Sequence, residues 1–182
     1  AVRSIDAMQV GERYFLLVVG AGVSSVVIGN TRREAKLLFG RFAYFFQTFK
    51  QFLGFQPYRF RIAIDGRVID VRASEVLIAN TSRVGGSPFH WARNIRPDDG
   101  ELAVCVMRLP SFSACVSVCW NMLFNRQHRG PGIRWYGARN EATIECRYPL
   151  QVQADGEIIG QIPITVRLVP AAVQVVVPPF MS

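Results

Sequence analysis

The chain has 182 residues, half of them hydrophobic and 19% charged, which excludes a disordered segment and suffices for one substantial core. Its 21 basic residues against 13 acidic give a net charge of +8, a balance that draws phosphates, anionic head groups or nucleic acid and also simply serves solubility. No uncharged apolar run reaches membrane-spanning length, no signal-peptide core opens the chain, and a start at Ala1 on a strand-like approach reads as a piece of a longer protein.

Residues 13–19 (RYFLLVV) form a continuous apolar run, broken by Gly20 and Gly22, which predicts a buried strand followed by a turn. From 31 to 55 the pattern changes. Leu38, Phe42, Phe45, Phe46, Phe49, Phe52 and Leu53 recur at spacings of three and four, the stripe of a helix. Thr31 and Glu34 make a capping box and Gly54 a stop. Its flanks carry Arg32, Arg33, Lys36, Arg41 and Lys50. A basic helix with an aromatic face either lies in a head-group plane or packs as ordinary core.

From Tyr58 the period is two. Tyr58, Phe60, Ile62 and Ile64 alternate with polar or small residues, Asp65-Gly66 supplies a hairpin turn, and 68–71 returns. Residues 75–79 read as a buried strand. The stretch 80–100 is polar and rich in Gly and Pro, a length of loop that is usually functional. Strand signal resumes at 102–107. Ser111 caps a second helix running to about Arg126, residues 127–139 read as a basic loop, and 142–148, 150–154, 162–169 and 173–177 read as strands, with a second Asp-Gly at 155–156. No repeat of fixed period is visible, and the two Asp-Gly hairpins resemble each other only locally.

Cys105, Cys115, Cys119 and Cys146 lack metal-ligand spacing and read as reduced thiols, and His90 and His128 stand alone. Strands outnumber helices, so the expected fold is mainly β: an antiparallel β-sandwich over residues 1–182 with two flanking α-helices. There is no glycine-rich phosphate loop.

Four segments carry a family resemblance: Tyr14–Gly22 (YFLLVVGAG) preceded by Ile5-Asp6, 80–103 (NTSRVGGSPFHWARNIRPDDGELA), 153–160 (QADGEIIG), and the ending 166–178 with Pro170. Together they resemble the C-terminal domain of bacterial lipid kinases of the diacylglycerol kinase and sphingosine kinase superfamily, related to NAD kinase. The resemblance implies a two-domain, ATP-dependent enzyme that phosphorylates a lipid hydroxyl. Its nucleotide motif, Gly-Gly-Asp-Gly-Thr, would lie on an N-terminal domain that this sequence does not contain, and ATP would bind mainly there.

On the same resemblance Glu157 is the proton acceptor, with Asp155 beside it in the substrate cleft. Read from the residues alone, Asp155-Gly156 is a type I′ turn and Glu157 its solvated flank. Asp99 matches a carboxylate that binds Mg²⁺ with the backbone carbonyls of Arg96 and Glu101; alone, it reads as an acidic turn paired to nearby arginines. Asn80, Gly85 and Gly86 match the approach to the cleft, where Ser87 stands in place of a third glycine, and Val23-Ser24-Ser25 replaces an acidic residue frequent in the family. The implied partners are a lipid substrate, an anionic membrane surface approached peripherally from the cytoplasm, and the N-terminal domain; a homodimer stays open. A non-catalytic sandwich binding anionic lipid or protein is the alternative. Nucleic acid is disfavoured, because the arginines are scattered and no nucleic-acid module signature occurs.

Overall fold

The computed structural model describes residues 1–22, 25, 57–82, 95–108 and 132–177. Both expected helices, 31–55 and 111–126, fall outside them, as do Gly85 and Gly86. The described residues are almost entirely antiparallel β, in two six-stranded sheets. The first sheet has the order β2-β1-β12-β9-β4-β5 and contains β1 (Val2–Val10), β2 (Arg13–Phe15), β4 (Tyr58–Ile64), β5 (Arg67–Ala73), β9 (Glu141–Cys146) and β12 (Ile164–Val176). The second has the order β11-β10-β3-β6-β7-β8 and contains β3 (Val18–Gly22), β6 (Glu75–Ala79), β7 (Leu102–Met107), β8 (Ile133–Ala138), β10 (Gln151–Ala154) and β11 (Glu157–Gln161).

Period-two alternation explains the core between them. Met8, Phe60, Ile62, Ile144 and Val166 of the first sheet meet Val19, Val76, Ile78, Val104 and Val152 of the second, all nearly inaccessible to water. β6 is buried on both faces, which is why 75–79 reads as a continuous apolar run except for Glu75.

Several sequence expectations need correction. The run 13–19 is two strands, because the chain leaves the first sheet after Phe15 and enters the second at Val18. Gly20 lies inside β3 and does not end it; the strand runs on to Gly22. A Cβ on Gly20 would sit 2.5 Å from Leu77 Cδ2 and 2.9 Å from Gln153 Nε2, so neighbouring side chains occupy that space. The basic loop 127–139 contains β8, an edge strand whose alternation is hidden by Arg134 and a glycine. Segments 162–169 and 173–177 are one long β12, kinked at Pro170 and Ala171, where φ is +50° and the register against β1 slips between Ile5 and Ala7.

The likeness of the two Asp-Gly turns extends far beyond the turn. Asp65 and Asp155 both have positive φ, 46° and 48°, each followed by a positive-φ glycine, the backbone of a type I′ hairpin. Each carboxylate then clamps three consecutive backbone N–H groups where the chain crosses between sheets. Asp65 accepts from Arg139, Asn140 and Glu141 at the β8–β9 crossing. Asp155 accepts from Leu16, Leu17 and Val18 at the β2–β3 crossing. The sheet orders correspond as well: hairpin β5-β4 flanks β9 in one, and hairpin β11-β10 flanks β3 in the other.

Partial burial pushes the Asp65 carboxyl up, and the clamp of backbone N–H groups outweighs it, leaving the pKa below the ordinary 3.8. A folded-state pKa below the unfolded value contributes stability that is present above about pH 4 and lost as pH falls through the lowered value. Asp65→Ala is therefore expected to cost about 1 kcal/mol near neutral pH, the size of a lost cap. The gap to the parent should close in acid. Urea melts across pH would check this; a gap that stays constant down to acid pH would show that the charge plays no part.

Candidate active site

Of the described candidate residues, Asn80, Asp155 and Glu157 gather around the β2–β3 crossing, while Arg96, Asp99 and Glu101 lie together on the 95–101 loop. The crossing peptides, Leu16 and Leu17, are held from both sides. Asp155 takes their N–H groups at 2.8 and 3.0 Å. Asn80, at the end of β6 and fully buried, takes their carbonyls: its backbone N–H donates to Leu17 O at 3.1 Å and its Nδ2 to Leu16 O at 3.2 Å. Asn80 Nδ2 also donates to Asp6 O at 2.8 Å, while its buried Oδ1 has no hydrogen-bond partner among the described residues. Asn80 and Asp155 thus act first as fasteners of the crossing.

Asp6, which the pattern of β1 does not single out, is the second hub. It is 4% exposed. Its Oδ2 accepts from Gly100 N at 2.9 Å, its Oδ1 from Ala171 N at 2.8 Å, and its own N–H donates to Pro97 O at 2.6 Å. The 95–101 loop is therefore sewn to β1 and to the kink of β12. Beside it, Asp98 is held by Arg3 at 3.1 Å and by Arg96, also at 3.1 Å. A stretch reading Ile-Asp near a chain start gives no sign of this; only the register slip opposite Asp6 reveals it.

Asp99 is exposed at the tip of that loop. Its carboxylate accepts from Arg96 N at 3.3 Å and Glu101 N at 3.1 Å. It therefore lies against both residues whose carbonyls the sequence reading assigned to a metal. The Arg96 guanidinium, a positive charge that would repel a cation beside Asp99, is turned to Asp98. Among the described residues no group of three or more His, Cys, Asp or Glu side chains could hold a metal. One carboxylate with spare lone pairs, completed by carbonyls and water, is the donor set that suits a hydrated Mg²⁺.

Glu157 starts β11 with its side chain 75% exposed. Its Oε2 lies 3.5 Å from Arg13 Nη2 on β2, and Arg13 rests over the Phe15 ring at 5.1 Å. This contact joins the edge strands of the two sheets. Glu157 stands directly after a turn whose aspartate is fixed by three hydrogen bonds, so its backbone position is rigid while its carboxylate is free to meet a ligand. Cys105 and Cys146 are free thiols; burial, with Glu75 nearby, pushes the Cys105 pKa up and keeps it inert.

Residues 17–177 match the model of the YegS C-terminal NAD kinase beta sandwich-like domain. The chain belongs to that family. Relatives named "Putative lipid kinase" from Staphylococcus aureus and Staphylococcus haemolyticus are each 26% identical to it, over 95% and 96% of this chain and 56% of their own length. A solved structure described as a "putative diacylglycerol kinase" from Bacillus anthracis superposes with a TM-score of 0.80 at 24% identity, covering 98% of this chain and 58% of that one. A second from the same organism gives 0.76 at 23%. This YegS-type sandwich therefore spans little more than half the length of the proteins it matches. Among its described residues no helix is long and apolar enough to cross a membrane.

Proposed function

We propose that the chain is the substrate-cleft half of an ATP-dependent kinase that phosphorylates a lipid hydroxyl, with Glu157 as proton acceptor. One observation carries this reading. The two Asp-Gly turns share backbone, clamp and place in the sheets, so the fold accounts for both aspartates. It asks nothing of the residue that follows. That residue is Arg67 in one copy and a solvent-facing Glu157 in the other. A carboxylate held on a rigid turn, without a backbone partner among the described residues, suits general-base work.

In the proposed step the lipid hydroxyl gives its proton to a Glu157 carboxylate oxygen as the hydroxyl oxygen attacks the terminal phosphorus of ATP and ADP departs. Arg13 orients the carboxylate. Asp155 and Asn80 keep the crossing beneath it from moving. The Asp99 loop, with the Arg96 and Glu101 carbonyls, is where Mg²⁺ would be held; when bound, the ion would neutralise charge and stiffen the loop. ATP would be bound by an additional N-terminal domain, and the enzyme would work peripherally on the cytoplasmic membrane face.

The test is transfer of labelled phosphate from ATP to dispersed diacylglycerol and other lipid alcohols. A full-length product that includes this chain should catalyse it, and residues 1–182 alone should not. Transfer by the isolated chain, or no lipid phosphorylation by the full-length product, would overturn the proposal.

A further inference from the structure

The outer face of the first sheet, away from the core, carries an open groove of about 600 Å³ across β9, β4 and β5. Six exposed charged side chains line it: Arg59, Arg61, Asp70, Arg72, Glu145 and Arg147. The register sorts them into two rows. Arg61 pairs across the ladders with Asp70 on one side and Glu145 on the other, a balanced row. In the next row Arg59 lies opposite Arg72, and Arg147 follows the Phe60–Cys146 pair on Arg59's other side. That row is arginine on β4, on β5 and just past the end of β9. The ion pairs of the described residues all lie elsewhere.

Like charges directly opposite on a ladder destabilise a sheet, and none of the three guanidinium groups serves the core. Adjacent strands are about 4.8 Å apart, so the row spans roughly 10 Å, the scale of one or two phosphate groups. Arginine's planar fork matches phosphate oxygens in bidentate geometry. Asp70 and Glu145 bound the row on one side, which favours a compact oxyanion over an extended polyanion. The groove reaches the β5 edge of the sheet, whereas Arg13 and Glu157 lie at the β2 edge. It is therefore separate from the candidate active site.

We propose that this groove is a phosphate-binding site, filled by the phosphate of a lipid head group or of a soluble phosphorylated molecule. The test uses the full chain in two arms. One measures co-sedimentation with phosphatidylcholine vesicles with and without phosphatidylglycerol. The other measures calorimetric binding of pyrophosphate. Binding in at least one arm should weaken with salt and fall at least about tenfold in Arg59→Gln/Arg72→Gln/Arg147→Gln. Arg61→Gln should change it far less. Loss in the vesicle arm alone identifies a lipid head group; loss with pyrophosphate identifies a soluble source. Without ligand the triple variant should melt no lower than the parent, because it removes repulsion, and the edge variant Arg72→Gln serves if the triple variant does not fold. Parent binding in neither arm, unchanged binding by the variants, or equal loss in Arg61→Gln would overturn the proposal.

Discussion

Glu157→Gln in a full-length enzyme should lower turnover by about 10² to 10⁴-fold, the usual span for a lost general base. The fold should barely notice. Among the described residues the Glu157 carboxylate has one polar partner, Arg13 at 3.5 Å, with both side chains more than half exposed. An ion pair of that kind contributes about 0–1 kcal/mol. Glutamine keeps the length and the polarity, cannot take a proton from a lipid hydroxyl, and leaves the Asp155 clamp intact. Substrate binding should change less than turnover, so the effect should appear in kcat more than in KM. Phosphate transfer measured beside a thermal melt checks this. A variant within about threefold of the parent would return Glu157 to the role of a solvated turn flank.

The parts of the fold legible in the sequence are those where one residue at a time reports its surroundings. The alternation from Tyr58 to Ile64, with Asp65-Gly66 after it, could only be a hairpin with one wet face, and β4 and β5 are that hairpin. The run 75–79 coincides with β6, and 102–107 with β7. The misreadings come from places where two strands share one apolar run, or where one strand lacks a clean pattern. Phe15 and Val19 are both buried, yet they belong to different sheets; the break between them is made by Asp155, more than a hundred residues later in the chain. Nothing local in LLVV could reveal it. β8 was hidden because Arg134 and Gly137 interrupt its apolar positions and its outer edge is unpaired.

The candidate site was legible in a similar way. Asp99, Asp155 and Glu157 stood out by motif, because Asp-Gly marks a turn whatever the fold. Asn80 stood out only through the family resemblance, as part of the approach to the cleft; its burial and its bonds to the carbonyls of Asp6, Leu16 and Leu17 also make it a fastener, which nothing local in the sequence shows. The Asp155 carboxylate holds three backbone N–H groups, and Asp65 does the same at the β8–β9 crossing, where Arg139 also reaches Glu101. Comparing the two turns separates what the architecture needs from what chemistry adds.

The largest structural effect is expected at Asp6. Asp6→Asn preserves shape and removes one acceptor. Whichever way the amide is placed, its NH₂ must face either Gly100 N–H or Ala171 N–H, both now bonded to carboxylate oxygens at 2.9 and 2.8 Å. One buried N–H loses its partner, and the remaining bond is no longer charge-assisted. Together these should cost about 2–4 kcal/mol, a large share of a typical domain's stability and roughly 4–16 °C in melting temperature for a chain of this size. The damage should be local before it is global, since Asp6 ties both the 95–101 loop and the kink at Ala171 to β1. Hydrogen exchange at Gly100 and Ala171 should accelerate more than at β6 or β7, where the ladders are intact. Because the loop tip carries Asp99, any dependence of transfer on Mg²⁺ concentration should move to higher concentration in the same variant. Exchange at Gly100 that matches the parent, with an unchanged melt, would show that the loop is anchored by Asp98 and its arginines and that Asp6 is not the hub its bonds make it.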